Sequence, residues 1–351
     1  MKKGLKTGLL LCLGLFTVLA LFRQTSSRST PRTLPGGVFV GTLPELGEVI
    51  LSCWQQDDTV SGGIVRTASP GRMRLEGVAP RTGKFGFHFH PDSDEEQDKA
   101  WQLVGDSLLD PDTLTGVLSI PGSDRDYPVK LSRIGSYSGI HAKSGIRLFG
   151  RGLTREFQAA IPFLQRNQQA DAAISGQLLA RTRKLAADFT RVTPREIWDG
   201  ARYGFWSEYE SWDHFEPVGM GPDWISLRWM HYEYTGGAHG NWGITGLNWR
   251  LDDTEPSPIQ LHQLFRQDSP WVEFLSGFCI EFLKQQGASS VVDNSISSLT
   301  TNDLTSFTLH QHGIEMIFNP YSVASYAEGA FVVPIPWETI AHLRPPQPAI
   351  P

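Results

Sequence analysis

The sequence contains few cysteines and lacks the common signatures of metal, redox and nucleophilic chemistry. Only 3 of its 351 residues are cysteines. Neither a Cys-x-x-Cys pair nor a His-Glu-x-x-His segment occurs, so the usual zinc-binding and thiol redox motifs are excluded. Tyr137 stands at the centre of Gly135–Gly139, where a hydrolase nucleophile elbow needs serine. Residues 77–84 have five residues between their two glycines, one more than a phosphate-binding loop has.

The chain also lacks an excess of basic residues. Its 31 lysines and arginines are outnumbered by 37 aspartates and glutamates, which gives a formal net charge of -6. Because four of the basic residues lie within Met1–Arg23, the rest of the chain has 27 basic and 37 acidic residues. Nucleic-acid-binding proteins present a basic surface to the phosphate backbone, so the charge balance excludes a nucleic-acid partner. It favours a cationic partner.

A long hydrophobic run occurs at the N-terminus, where three lysines precede Leu9–Phe22. A helix of this length extends about 21 Å, which is shorter than the roughly 30 Å hydrocarbon core of a membrane. The pattern predicts that residues 1–23 are a signal peptide; since no Ala-x-Ala site follows, an uncleaved N-terminal membrane anchor is the alternative. We therefore expect an exported protein, in the periplasm or on the extracellular face of the cytoplasmic membrane. A solvated linker is predicted at residues 24–36.

Short alternating segments separated by turn residues fill residues 37–134. Predicted strands such as Val38–Thr42 and Lys84–His90 are short, and turn residues separate them at even spacing. This pattern is typical of an antiparallel β meander. We therefore predict an N-terminal β domain, either a small barrel or a sandwich. The Gly- and Ser-rich stretch at residues 135–145 is interpreted as the domain boundary.

Residues 146–343 combine helices with antiparallel strands. Runs of helices and strands without strict alternation predict an α+β domain in which helices pack on an antiparallel sheet. A Pro-rich tail is expected at residues 344–351. The predicted elements are an amphipathic helix at 170–189 and aromatic strands at 203–212, 224–234 and 244–251.

A further helix has the clearest boundaries in the sequence. Ser269 is predicted as its N-cap, Pro270 as its first residue and Gly287 as its end. Cys279 falls on the apolar stripe of this helix, and Cys53 lies on one face of a predicted strand, so both are expected to be buried. Separate core thiols are favoured, and an inter-domain disulfide is the alternative.

The most distinctive segment contains two adjacent glycines between Tyr234 and Asn241. Gly236 and Gly237 allow positive φ at the end of a strand, which exposes peptide N–H groups. Such a turn could bind an anion or a glycan hydroxyl. The simpler interpretation is a tight connection whose polar side chains only satisfy the backbone of the turn. The side chains that it would bring together are Thr235, His239 and Asn241.

Two His-x-His pairs are possible metal ligands. His88 and His90 share one strand face and precede an acidic loop that includes Asp92. Two imidazoles and one carboxylate can bind a divalent transition-metal ion, so these three residues are candidate ligands. Solvent-facing histidines beside an acidic loop are the simpler interpretation. The same choice applies to His310 and His312.

Several segments of the second domain resemble one family. They are Tyr234–Asn241, Leu261–Phe265, Phe318–Tyr321, Tyr326–Gly329 and Val333–Pro336. Together they resemble the RsiV-like extracellular domain of bacterial envelope proteins, with order and spacing kept from about residue 146 to residue 343. This domain is found in a lysozyme-sensing anti-sigma factor and as an accessory domain of some peptidoglycan deacetylases.

The resemblance implies an α+β domain outside the cytoplasmic membrane of a bacterium. Its implied partner is a peptidoglycan strand or a cationic wall-cleaving protein such as lysozyme. The chain lacks the metal-ligand motifs of a deacetylase, and only a short segment precedes the apolar run, so neither deacetylation nor sigma-factor signalling is expected. The predicted binding surface is formed by Tyr234, Thr235, Gly236, Gly237, His239, Asn241, Asn319 and Tyr321.

Three functions follow from these observations. The first is a non-catalytic binding module, without a cofactor, that recognises cell-wall glycan or a protein acting on the wall. The second is a cell-wall hydrolase that depends on a metal or on carboxylates such as Glu208 and Glu210, which lie two residues apart beside tryptophans. The third is an envelope scaffold that binds other proteins through its β domain.

Overall fold

The computed structural model describes most of the chain from Thr25 to Pro346. The predicted signal or anchor segment at residues 1–23, the candidate ligand Asp92 and most of the Pro-rich tail lie outside the described residues. No helix among the described residues is long and apolar enough to cross a membrane. The described ranges are 25–27, 31–68, 70–78, 84–91, 100–105, 108, 110–148, 151–166, 168–203, 207–251 and 255–346.

The N-terminal part is an antiparallel barrel of eight strands, which confirms the β meander predicted from the sequence. The barrel closes because its last strand, β9, pairs with both β8 and β2. Alternating residues point inward, and fully buried side chains such as Phe39, Phe87 and Leu131 fill the interior. The strands are β1 Thr25–Ser27, which pairs with β9, and the barrel strands β2 Arg32–Leu43, β3 Gly47–Gln56, β4 Thr59–Arg66, β5 Arg72–Val78, β6 Phe85–Pro91, β7 Trp101–Gly105, β8 Thr113–Ser119 and β9 Asp126–Leu148.

Strand β9 corrects two of the sequence-based boundaries. The Gly- and Ser-rich stretch at 135–145 lies within this strand and is not a loop. Small residues are needed there because a Cβ at Gly135 would lie 2.8 Å from the carbonyl oxygen of Phe163, and one at Gly139 would lie 2.7 Å from the Leu34 side chain. The stretch 24–36 was predicted as a linker, yet it contains β1 and the start of β2.

The sheet continues beyond the barrel through β10 (Arg151–Leu164), which pairs antiparallel to β9 and parallel to β11. Two helices connect β10 to β11, and the longer one packs through Ile174 and Leu178 into the cluster that contains Phe157. Tyr203 is the last residue of the second helix, so the strand predicted at 203–212 begins later than expected. The elements are α1 Gln168–Phe189, α2 Pro194–Tyr203, β11 Ser207–Met220, β12 Trp224–Tyr234, β13 Asn241–Leu251 and β14 Pro256–Pro258.

The C-terminal part is a three-stranded antiparallel sheet with helices packed on it, as the α+β prediction requires. Leu275, Cys279 and Leu283 form the buried stripe of helix α3. The elements are α3 Trp271–Gln285, α4 Ser289–Val292, β15 Phe307–His310, β16 Gly313–Phe318, β17 Phe331–Pro336 and α5 Trp337–Ile340, with single 3-10 turns at Leu261–Leu264, Tyr326–Glu328 and Ala341–Leu343.

Helix α3 begins one position later than predicted. Pro270 occupies the N-cap position, and no side chain caps the helix. The Ser269 hydroxyl instead donates a hydrogen bond of 2.7 Å to the carbonyl oxygen of Arg266. Gly287, with a φ of 80°, ends the helical region as expected.

Both described cysteines are free and buried. Cys53 lies inside the barrel and Cys279 lies on α3. Burial raises the pKa of each thiol to about 12, which makes both unreactive as nucleophiles at neutral pH. The structure thus agrees with separate core thiols.

A buried ion pair joins the barrel to the extended sheet. Arg72 on β5 donates two hydrogen bonds, of 2.9 and 2.8 Å, to the carboxylate of Glu216 on β11. The side chains are 8% and 2% exposed. Because removal of one partner leaves the other charge buried without its counter-ion, the pair is far more sensitive to mutation than a surface pair.

We expect Glu216→Ala to lower the free energy of unfolding by about 3–5 kcal/mol. The matched control is Glu76→Ala, which breaks the Arg74–Glu76 pair. Because both of these side chains are 56% exposed, this variant should lower the free energy of unfolding by at most about 1 kcal/mol. Urea unfolding of the purified protein measures both. The double variant Arg72→Met, Glu216→Leu should recover most of the loss, since it removes both charges. Equal losses in Glu216→Ala and Glu76→Ala would contradict the role given to this pair.

Candidate functional site

The predicted glycine turn joins strands β12 and β13 at one end of the extended sheet. Gly236 and Gly237 have φ values of 95° and 105°, in the region that favours glycine. The Tyr234 hydroxyl donates a 3.1 Å hydrogen bond to the carbonyl oxygen of Gly237 and closes the turn. The positive φ predicted from the paired glycines is therefore confirmed, and residues 235–239 are all exposed.

A second loop, between β16 and β17, packs against this turn through aromatic rings. The His239 ring stacks on the Tyr326 ring, with centroids 3.9 Å apart and planes 20° apart. The Tyr326 hydroxyl donates a hydrogen bond to the carbonyl oxygen of Gly240. Tyr321 also contacts Tyr326, with ring centroids 5.4 Å apart, and is 66% exposed. We call Gly236, Gly237, His239, Tyr321 and Tyr326 the hairpin patch.

Asn319 has a different role from the one predicted. Its Oδ1 accepts a hydrogen bond of 2.6 Å from the backbone N–H of Ile244, and its Nδ2 donates one of 3.0 Å to the carbonyl oxygen of the same residue. The amide thus imitates a paired strand and satisfies backbone groups at the edge of β13. Both ends of the Asn319 side chain are used in holding the second loop on the sheet.

A row of aromatic residues crosses the sheet below the hairpin patch. Trp212 on β11 lies opposite Tyr232 on β12, which in turn lies opposite Trp242 on β13. The Trp212 and Tyr232 rings stack with centroids 5.6 Å apart. All three side chains are half-buried. Partly exposed tryptophan and tyrosine side chains are common in ligand-binding surfaces, because each combines an apolar ring with a polar group.

An acidic group borders the aromatic row. Glu210 lies on the same face as Trp212, two residues before it, and is exposed at the end of the sheet that carries the hairpin, whereas Glu233 is exposed on the opposite face. Burial, followed by the charge of Glu210, raises the pKa of the Tyr232 hydroxyl above its ordinary value. His214, next to Trp212 in the same stack, is a neutral ring near pH 7 because burial lowers its pKa to about 4.

The structure brings only some of the predicted binding residues together. Tyr234, the two glycines, His239 and Tyr321 meet in or beside one patch. Thr235 and Asn241 are exposed on the same turn. Tyr326, which holds His239 and Tyr321 together, was not predicted as a site residue, although the segment Tyr326–Gly329 contributes to the family resemblance.

The histidines His88 and His90 lie on β6, on the outside of the barrel. His88 is exposed and His90 is half-buried, with ring centroids 6.4 Å apart. The third proposed ligand, Asp92, lies outside the described residues. The metal-dependent hydrolase alternative therefore stays a prediction. Glu208 and Glu210 are both exposed, which differs from the buried environment that raises the pKa of a catalytic carboxylic acid.

Another group of possible ligands lies on the β15–β16 hairpin, where His310 and His312 are joined by Glu315. The His-x-His spacing is visible in the sequence. Glu315 was not predicted as a ligand, because it lies near His310 only through the register of the hairpin. This register pairs His310 with Gly313 and Thr308 with Glu315. A two-residue turn at Gln311 and His312, directly before Gly313, would have indicated this register from the sequence.

Comparisons with known proteins find a similarity over part of the chain. Residues 262–338 match the family model described as "Protein of unknown function (DUF3298)". No curated protein matches the chain. A crystal structure of a DUF3298 family member from Bacteroides fragilis is similar over 60% of this chain and 94% of that chain, with 18% identity and a TM-score of 0.42.

A DUF3298 family protein from Pseudomonas aeruginosa PAO1 is similar over 59% of this chain and 94% of that chain, with 15% identity and a TM-score of 0.39. These comparisons do not confirm the RsiV-like assignment, which stays a prediction. Residues 262–338 include α3, α4, the three-stranded sheet and the start of α5; because they match the model of this family, whose function is unknown, we call them the DUF3298 domain.

Proposed function

We propose that this protein is a non-catalytic binding module of the bacterial cell envelope and that the hairpin patch binds a cell-wall glycan. The observation that supports this proposal best is the aromatic cluster of the exposed His239 and Tyr321 with the half-buried Tyr326, beside two glycines of positive φ. The apolar C–H face of a sugar ring packs on aromatic rings of this kind. Its hydroxyl groups need donors and acceptors at the edge of the rings, and the backbone of a glycine turn supplies them.

The shape of the patch also suits a chain of sugars. Tyr321 is held at a φ of 70°, an uncommon conformation for a residue with a side chain, and it is 66% exposed. A strained, exposed aromatic residue contributes nothing to the core, so a ligand is a physical reason for its position. The aromatic row of Trp212, Tyr232 and Trp242 extends this apolar surface along the sheet.

The proposed location is outside the cytoplasmic membrane, with residues 1–23 as a signal peptide or as an anchor. This part of the proposal rests on the three lysines and the apolar run in the sequence. Peptidoglycan is accessible to an exported protein, so location and ligand are consistent.

A cationic wall-cleaving protein such as lysozyme is the second candidate partner. The exposed carboxylates Glu208, Glu210 and Glu233 support it, because they lie on neighbouring strands near the hairpin. Attraction between opposite charges at exposed positions is screened by salt, whereas stacking on aromatic rings is not. The salt dependence of binding therefore distinguishes the two candidates.

We expect Tyr321→Ala and His239→Ala each to weaken binding of the purified protein to isolated peptidoglycan. Loss of one aromatic contact of about 0.5–1.5 kcal/mol corresponds to roughly two- to tenfold in affinity. Trp198→Ala is the matched control, because Trp198 on α2 is also 66% exposed. Co-sedimentation with peptidoglycan measures all three variants, and thermal unfolding checks that each is folded.

Unchanged sedimentation of both patch variants would contradict the glycan proposal. Binding to lysozyme that disappears at high salt, together with no binding to peptidoglycan, would favour the second candidate. Equal loss in Trp198→Ala and Tyr321→Ala would show that exposed aromatic residues bind the wall without a defined site.

A backbone prediction tests the role of the turn. We expect Gly237→Val to abolish binding, because a β-branched residue at a φ of 105° costs roughly 1–3 kcal/mol and distorts the turn. Gly122→Val is the matched control, since Gly122 has a φ of 82° in a barrel turn and, like Gly237, has no atom within 4 Å of an added Cβ. Both variants should lose similar stability in urea unfolding, and only Gly237→Val should lose binding.

A further inference from the structure

A cluster of three metal-ligating side chains lies on the β15–β16 hairpin of the DUF3298 domain. The pairing of Thr308 with Glu315 and of His310 with Gly313 places His310 and Glu315 on the same face of the sheet. His312 lies in the turn between the two strands. One donor atom from each of His310, His312 and Glu315 lies within 4.8 Å of the other two. The cluster is well shielded, because His310 is 2% exposed and Glu315 is 9% exposed.

The distances fit a small divalent ion. Zinc binds imidazole nitrogen and carboxylate oxygen at about 2.0–2.2 Å, so two ligands of a tetrahedral site lie roughly 3.3 Å apart. The Nε2 atom of His310 and the Oε2 atom of Glu315 are already 3.2 Å apart. The hydroxyl of Thr308, 2.9 Å from the same nitrogen, is a further oxygen at the site.

His312 has the hydrogen bond of a metal-binding histidine. Its Nδ1 lies 3.3 Å from the backbone carbonyl oxygen of Thr67, in the barrel. Since a carbonyl oxygen only accepts, Nδ1 carries the proton, and in the neutral ring Nε2 therefore carries the lone pair. Nε2 is buried and has no hydrogen-bond partner among the described residues. A histidine that donates one ring nitrogen to a backbone carbonyl and presents the other is the usual arrangement at metal sites.

We propose that His310, His312 and Glu315 bind a divalent transition-metal ion, with Zn²⁺ as the ion that this ligand set fits best. Two imidazoles and one carboxylate leave a fourth position open to water or to the Thr308 hydroxyl. Because His312 contacts the barrel through Thr67, the bound ion would also hold the DUF3298 domain against the barrel. The site is independent of the hairpin patch and of the proposed function.

Neighbouring charges set the expected strength of the site. Arg228 acts electrostatically on Glu315, and Arg66 acts on His312. The single negative charge of Glu315 does not neutralise the two positive charges of the ion, and the nearby guanidinium groups add further positive charge. We therefore expect binding weaker than in closed structural zinc sites made of four charged or imidazole ligands.

The test uses the untagged full chain, stripped with a chelator and titrated with Zn²⁺ in a calorimeter. Co²⁺, followed by its visible absorption, reports the coordination geometry. Glu315→Gln keeps the size of the side chain and removes the charge, and His312→Ala removes a half-buried ring at a turn. The double variant His88→Ala, His90→Ala is the matched control, because it removes a His-x-His pair that lies on the barrel.

One equivalent of Zn²⁺ should bind, and each cluster variant should lower the affinity by at least about 10- to 100-fold. The His88 and His90 variant should bind as the unchanged protein does. Zn²⁺ should also raise the unfolding temperature of the unchanged protein and not that of Glu315→Gln. The proposal is overturned if the folded protein binds neither ion. It is also overturned if the cluster variants retain full affinity, or if the loss occurs in the His88 and His90 variant instead.

Discussion

Backbone hydrogen bonding along a single strand, β9, determines how the two parts of the protein are arranged. Its first half pairs with β8 and closes the barrel, and its second half pairs with β10 and starts the extended sheet. The strand needs 23 residues to do both. Glycines within it allow neighbouring strands and side chains to approach closely, so the barrel and the extended sheet share one continuous hydrogen-bonded network. The buried Arg72–Glu216 pair adds a side-chain contact across the same junction.

The position of the DUF3298 sheet on the extended sheet follows from two close backbone contacts. A Cβ at Gly246 would lie 1.6 Å from the carbonyl oxygen of Phe307, and one at Gly219 would lie 2.0 Å from that of Leu309. Only glycine fits at both places, so β15 lies directly on β11 and β13. Asn248, which donates to the Phe307 carbonyl oxygen, fixes the same contact with a buried hydrogen bond of 2.9 Å. The loop that carries Tyr321 and Tyr326 therefore has a fixed place beside the glycine turn.

Local sequence patterns predicted the strands and turns well. They failed where a contact with a distant part of the chain determines the structure or the role of a residue. The strand predicted at 224–234 has those bounds in the structure, because alternating apolar residues and the following glycines are local signals. Residues 135–145 have the composition of a loop, but their small size serves contacts with Leu34 and Phe163. Asn319 looked like a binding residue, yet its amide pairs with Ile244, 75 residues away. Glu315 lies close to His310 only because of the register in which β15 and β16 pair. The positive φ of the glycine turn could thus be predicted from the sequence, whereas the contacts made by Tyr326, Asn319 and Glu315 could not.

The two proposed sites lie at opposite ends of one strand, and this has a physical consequence. β16 begins at Gly313, beside His310 and His312, and leads to Asn319, beside the hairpin patch. Six residue steps at about 3.3 Å per residue separate these ends by roughly 20 Å. Every residue of β16 is buried, all six pair with residues of β17, and the first four also pair with residues of β15. An ion at the barrel end would stabilise this strand without contacting the patch, because interactions that far apart with no shared partner are generally additive. The fold thus allows a structural metal site at one end of β16 and a ligand surface beside the other end.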